Sequence, residues 1–463
     1  MKFEKVSKIL YALMLAIFVL IVTLGMISGL YDLSHKSYIC AFAVAAVLFL
    51  LALKWGDRVP VITNKVVLSL ICFVANGLWI VLFSIEPEGD FTVFWGYAQL
   101  LSYRTAAVQH YVALFPHIFG YSWFLSWFVG LFGASLWVPE ILNLLLTVGS
   151  GLIIYTIVND RLDERKAGIA YLLWILCPSK MIFNSMVLSE PYYTNLILLF
   201  ILVVERLDKK NTFGWLFGIL AGLLLVLTDS ARPVAVIPLI AFFIWLLLLG
   251  GYKKCFIPFS VTMLLVYIIL GNLWDSYMKV KLQEEPASGI PGYNVYVGLN
   301  PETDGRYSND DIDELFALYY DDGLSAPEAQ KIMLGRALDR LKSGEINIAE
   351  LVFKKLGFLF GNDEAGAFYA VSALSPVLYS VLCIVSNVFY YLLILFALRS
   401  AIIGIWKPEP SVLCLAPLYV IGLVLAQLAV EVAGRYHYSI LPMLIIMAVL
   451  FNSKEGIKNW SVG

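Results

Sequence analysis

The stretch CPSKMIFNSMVLSEPYYTNLILLFILVVERLDKK, residues 177–210, decides how this chain is read. An apolar run is closed at one end by Glu190 and at the other by Arg206, Lys209 and Lys210. A helix rises about 1.5 Å per residue, so roughly 20 apolar residues cross a hydrocarbon layer of about 30 Å. Segment 190–206 is therefore expected to span a membrane, with its charges at the two rims. Similar apolar segments recur along the chain, and the ionisable residues that interrupt them gather at segment ends. Read in order, one set of ends carries Asp90, His117, Lys180 with Glu190, Asp229 with Arg232, Asp275, and Glu431 with Arg435 and His437. A charge in hydrocarbon costs about 2.5–3.5 kcal/mol on the mildest scale, so such residues are paired or functional.

Composition agrees. The 463 residues are 60% hydrophobic and 14% charged, with a mean hydropathy of +0.83. That excludes a soluble domain of this length and predicts an all-α polytopic membrane protein. The net charge of -2 argues against a nucleic-acid partner. The six cysteines (Cys40, Cys72, Cys177, Cys255, Cys383 and Cys414) form no close pair and read as small core residues.

The basic start MKFEKVSK is placed in the cytoplasm by the positive-inside rule. Segment 8–30 is too long for a signal peptide and reads as a retained span. Alternating basic loops then give 12 spans: 8–30, 38–54, 66–85, 136–157, 167–187, 190–206, 212–228, 233–250, 256–275, 374–398, 410–430 and 437–452. Lys54, Arg58 and Lys65, then Arg161, Arg165 and Lys166, then Lys253 and Lys254, then Arg399 and Lys407, and last Lys454 and Lys458, fall inside. Arg104, His35, His110, His117 and His437 fall outside. The aromatic segment 118–133 is short for a span. Crossing there would put NDRLDERK (159–166) outside, so a re-entrant or interfacial helix is expected.

Three parts follow: an N-terminal membrane module, 1–275, with a first outer loop at 86–117; an extracytoplasmic cap, 276–370; and C-terminal membrane helices, 371–463. The cap holds about half of all Asp and Glu in about a fifth of the chain. DIDELFALYYDDG and APEAQKIMLGRALDRLKSGE read as soluble amphipathic helices. NIAELVFKKLGFLFG (347–361) reads as a helix lying on the membrane.

Each polar group has a structural and a chemical reading. Asp90, after Pro87 and Gly89, suits an N-cap, and equally a base or a metal ligand. Glu190-Pro191 and Arg232-Pro233 suit helix starts. A guanidinium at a membrane surface also suits a lipid phosphate, because its planar fork binds two oxygens. His117 after Pro116 is an interfacial polar residue or a ligand contact. Snorkelling is the structural reading of the glycine-flanked Arg435 and His437. Together these residues supply carboxylates, cations and aromatics at one depth. That inventory suits glycosyl transfer from a lipid phosphate. The leaving phosphate needs cations, the attacking hydroxyl needs a base, and the transition state resembles an oxocarbenium ion.

The order of motifs carries a resemblance. Asp90 follows an early span; then come YVALFPHIFGY (111–121), ILNLLLTVGSGLIIYTIV (141–158), CPSKMIFNSMVLSEP (177–191), ARP (231–233) and RYHYSILP (435–442). The chain resembles bacterial membrane glycosyltransferases of the GT-C superfamily, of the family 39 or mannosyltransferase-like type. The resemblance covers roughly 60–250 well and the last two spans moderately. It implies a GT-C-like bundle of about 12 transmembrane helices, with juxtamembrane helices at the outer face and a small cap. It also implies a catalytic acidic residue in the first outer loop, which maps onto Asp90. The usual Asp-Glu pair is missing, since Glu88 precedes Asp90 by two and Phe91 follows. Phe115-Pro116-His117 stands where more distant relatives carry Lys-Pro-Pro.

The expected activity is transfer of a sugar of the hexosyl type. The donor is a polyprenyl-phosphate-linked sugar, and the acceptor is a glycan, lipid or protein of the cell envelope. The expected location is the extracytoplasmic face of the plasma membrane. Asp90 and Glu190 are the expected catalytic carboxylates. Arg232, Arg435 and Lys180 are expected on the donor phosphate; His117, His437, Asp229 and Tyr97 on sugar or acceptor. No cofactor is demanded; a divalent cation, magnesium or manganese, is the one that Asp90 could hold. The rival reading is a lipid-linked sugar flippase or other transporter. That function places charges near the bilayer midplane, often on broken helices or inverted repeats.

Overall fold

The computed structural model describes residues 2–31, 36–103 and 107–450. His35, Arg104, Lys454 and Lys458, used in the charge reading, lie outside the described residues. Among the described residues every regular element is helical and there is no strand. The protein is an all-α polytopic membrane protein. Among the described residues, eight helices are long and apolar enough to cross a membrane: Glu4–Tyr31, Ser37–Arg58, Lys65–Leu82, Trp137–Arg161, Gly214–Ala231, Phe256–Leu282, Pro376–Trp406 and Val412–Ala429. Two shorter apolar helices, Val236–Leu248 and Gly434–Leu450, stand where 233–250 and 437–452 were expected.

The expected span 167–187 is not one helix. It breaks at Cys177 into Glu164–Leu176 and Pro178–Phe183. Proline disfavours helical geometry in the residue before it, and Cys177 is extended, at φ -68° and ψ 108°. Glu190–Lys210 follows as a 21-residue helix, starting with Pro in its first turn.

The aromatic segment forms helix His117–Phe132, whose 16 residues rise only about 24 Å. It lies between Asp90–Ser102 and Gly214–Ala231. A Cβ on Gly120 would sit 2.1 Å from the Ser230 carbonyl oxygen. Glycine is what lets this helix approach the Ser230–Arg232 backbone so closely.

The helix at 347–361 has another helix as its partner. Ile348–Phe360 packs against the first helix, Lys2–Tyr31. Gly25-x-x-x-Gly29 meets Gly357-x-x-x-Gly361: a Cβ on Gly29 would lie 2.2 Å from the Gly361 Cα, and one on Gly25 2.7 Å from the Leu356 carbonyl oxygen. Small residues four apart on facing helices allow such close backbone contact, which a residue-by-residue reading of amphipathicity misses. Lys355 is buried and donates to the carbonyls of Gly298, Leu428 and Val430 at 3.0, 3.0 and 2.6 Å.

Charges concentrate at both ends of the bundle. At one end Arg161 pairs with Glu205 at 3.1 Å and Asp208 at 2.7 Å. There Arg206 and Lys209 pair with Asp160, and Lys253 with Asp208, all at 2.7–3.1 Å. Glu190 and Glu205 sit on one helix, so the two poles lie about 22 Å apart along it. The basic loops 159–166, 206–210 and 253–254 therefore share one end, as their alternation requires. Single cysteines at 163 and 209 should resist an impermeant thiol reagent in intact cells, while one at 310, exposed in the 276–370 segment, is labelled. Labelling at 163 from outside would reverse the sidedness.

Candidate active site

The other pole is built by six chain segments, around Asp90, residues 111–117, Glu190, Arg232, Tyr369 and residues 431–436. The turn before Asp90 needs Gly89, at φ +55°, which side-chain-bearing residues rarely adopt. Gly89 occupies the cap position of helix Asp90–Ser102 with no side-chain cap, and Thr92 Oγ1 closes the turn on the Pro87 carbonyl at 2.8 Å. Asp90 is thus not the N-cap. Its carboxylate points across the site instead. Oδ2 accepts from Arg435 Nη2 at 2.6 Å, and Oδ1 accepts from the Tyr111 hydroxyl at 3.1 Å. Burial pushes the Asp90 carboxyl up, but the charge and hydrogen bond of Arg435, with help from His117 and Tyr111, outweigh it and hold the group below the usual range.

Glu190 begins its helix, almost fully buried. Its Oε1 lies 3.9 Å from Arg435 Nε and 4.0 Å from Arg232 Nη1. Neither contact is short enough for a hydrogen bond, and both Glu190 Oε1 and Arg435 Nε are buried without a partner. Arg232 caps the end of helix Gly214–Ala231 in extended geometry, as the following proline favours, and lies over the Tyr436 ring at 4.2 Å. Arg435 is wedged among the rings of Phe91, Tyr369 and Tyr436, at 5.3–5.6 Å. His117 is close enough to feel the charges of Arg232, Asp90 and Arg435.

The cap fixes this arrangement through main-chain bonds. Glu431 N–H donates to the Asn294 carbonyl at 2.8 Å, and Val432 N–H to that of Gly305 at 2.9 Å. The Lys355 ammonium grips the same 428–430 stretch. Stretch 107–114, which carries Tyr111, is held by Ala107 N–H on the Lys281 carbonyl and Ala287 N–H on that of Ala113. Glu431 joins the group through its charge. Burial pushes its carboxyl up, Arg435 pulls it down and Asp90 pushes it up further, and the net direction is upward.

Of the residues singled out in the sequence, Asp90, His117, Glu190, Arg232 and Arg435 come together. Four do not. Lys180 is buried elsewhere, donating to Asn76 Oδ1 at 2.9 Å with Trp174 at its side. His437 bonds Asp363 at 2.7 Å and stacks on Tyr390. Asp229 accepts from the Tyr267 hydroxyl at 3.0 Å, and Tyr97 donates to the Ala107 carbonyl at 2.9 Å. Each holds two segments together and lies off the arginine–carboxylate group. Tyr111, Tyr369 and Tyr436 were missed. Tyr111 and Tyr436 lie inside the quoted motifs, and their adjacency to His110 and Arg435 was the available signal. Among the described residues no three or more His, Cys, Asp or Glu are placed to share a cation. With both Asp90 oxygens bonded to Arg435 and Tyr111, the donor set does not fit a metal.

No family model and no curated protein matches this chain. Among solved structures it is similar to ArnT from Cupriavidus metallidurans bound to undecaprenyl phosphate. That match has 11% identity and a TM-score of 0.36, over 83% of this chain and 77% of that one. It is also similar to the apo state of the same protein, at 13% identity and a TM-score of 0.34, over 82% and 77%.

Proposed function

We propose that this chain is a membrane glycosyltransferase of GT-C-like architecture. It moves a sugar, of the hexosyl type, from a polyprenyl-phosphate donor to a hydroxyl of a cell-envelope glycan, lipid or protein. The observation that carries the reading is the convergence of Arg232 and Arg435, from different segments, on one carboxylate at the end of the bundle, with Asp90 beside them.

A lipid phosphate is confined to the membrane rim, where these guanidiniums lie. Two planar forks can each give two N–H groups to phosphate oxygens and balance the charge that grows on the leaving group. With the leaving group so stabilised, no acid need protonate it. Asp90 is the base for the incoming hydroxyl. Phe91, Tyr369 and Tyr436 supply aromatic walls for the sugar, and the cap covers the site on the extracytoplasmic side of the plasma membrane. A transporter would place its charges near the midplane; the arginine–carboxylate group stands at one pole, beneath segments tied by main-chain bonds.

The test is Arg232→Lys. It keeps the positive charge and loses the fork, so the donor KM should rise by about tenfold or more in a protein that elutes and melts as wild type. An Arg232→Ala protein that is folded, with unchanged turnover and donor KM, removes Arg232 from the phosphate site and the reading with it.

A further inference from the structure

The base and the phosphate site are not independent. Arg435 spends its Nη2 donor on Asp90 at 2.6 Å, while its Nε is buried with no hydrogen bond, 3.9 Å from Glu190 Oε1. The guanidinium cannot swing aside, because Phe91, Tyr369 and Tyr436 pack around it. The two partners differ in exposure: the Arg435 side chain is 10% exposed and that of Asp90 36%. Asp90 therefore covers the open side of a fixed cation. An anion that reaches Arg435 from that side meets the carboxylate first.

Resting on the function proposed above, we propose that the donor's phosphate displaces Asp90 from Arg435. Donor binding thereby turns Asp90 from a counter-ion into a base, and Tyr111 is the positioning residue that keeps it aimed.

A carboxylate bound to a guanidinium at 2.6 Å is a poor proton acceptor, since its charge is already compensated. Once a phosphate oxygen takes the guanidinium, that compensation is gone, and the nearby phosphate anion raises the carboxylate's basicity further. The Tyr111 hydroxyl still holds Oδ1, at 3.1 Å. The freed Oδ2 takes the proton of the acceptor hydroxyl. The acceptor oxygen bonds to the anomeric carbon, the bond from that carbon to the phosphate oxygen breaks, and its electron pair stays on the polyprenyl phosphate. That product gains one negative charge, held by Arg232 and Arg435, and the proton leaves from Asp90 to solvent. The order of binding follows: donor first, acceptor second. Without a donor, the site has no competent base to activate water or acceptor.

The experiment measures undecaprenyl phosphate binding to the purified full chain in lipid nanodiscs, for wild type, Asp90→Asn, Asp90→Ala and Arg435→Ala. Removing a competing anion should tighten binding, so both Asp90 variants should bind roughly three- to tenfold more strongly than wild type. A structural carboxylate or a metal ligand gives equal or weaker binding. Tyr111→Phe should leave lipid affinity and donor KM unchanged and lower kcat, whereas loss of a donor contact would raise KM. Wild-type binding that is lost in Arg435→Ala but not tightened by either Asp90 variant overturns the displacement and leaves the phosphate site standing. Absence of binding in wild type overturns both.

Discussion

Asp90→Asn should lower sugar transfer from a polyprenyl-phosphate donor by on the order of a hundredfold or more, with little change in melting temperature. The amide keeps one oxygen to accept from Arg435, and its NH2 can donate to the Tyr111 hydroxyl oxygen in place of the bond that Oδ1 accepts, so packing is retained. The Asp90 side chain is 36% exposed, and Glu190 Oε1 stays 3.9 Å from the buried Arg435, so a counter-charge remains beside the guanidinium. Helix Asp90–Ser102 loses no cap, because Gly89 and Thr92 close its first turn. What the amide cannot do is take a proton from a hydroxyl. Near-wild-type transfer by a folded Asp90→Asn protein would remove the base from the mechanism. A large drop in melting temperature would instead assign Asp90 a structural role.

Gly29→Leu should cost more than any change in the site, on the order of 4 kcal/mol or more, and leave little folded protein. A Cβ there would lie 2.2 Å from the Gly361 Cα and 3.1 Å from its carbonyl carbon, both backbone atoms with no rotamer to yield. The helices must separate. Separation pulls on Gly361, whose carbonyl accepts from Tyr391, and on Asp363 and Glu364 just beyond, which bond His437 and Asn387. The segment carrying Arg435 is then released as well. Gly271→Ala is the control: its Cβ meets nothing within 4 Å, and a helix-interior alanine is favoured over glycine by about 0.5–1 kcal/mol. Size-exclusion profiles and detergent melting curves read both. A monodisperse Gly29→Leu protein melting like wild type would mean that the first helix and the 348–360 helix do not pack as described.

Much of the architecture was legible in local pattern. Long apolar runs ended by basic loops marked the spans, and Pro-x and Gly-x turns marked several helix starts. The charge-rich composition set the 276–370 segment apart. The shortness of segment 118–133 matches the 16-residue helix His117–Phe132. The break at Cys177-Pro178 had its signal in the proline, but the continuous hydrophobicity across it hid the interruption.

By itself the sequence determined that charges would gather at the ends of membrane helices, because a bilayer penalises them anywhere else. It also determined which residue types were available at one rim. Only the tertiary structure decided which of them meet. Arg435 and His437 stand two residues apart in a 3₁₀ segment, Gly434–Ile440, where each residue turns the chain by about 120°. Arg435 therefore faces Asp90 and Glu190, while His437 turns away to Asp363 and Tyr390. Lys180 lies as close to the rim in sequence as Glu190, yet the broken helix carries it into the Asn76 pocket. Depth in a membrane follows from hydropathy along the chain. Direction around a helix axis, and the approach of segments hundreds of residues apart, follow from glycine contacts and main-chain bonds that form only once the bundle is packed.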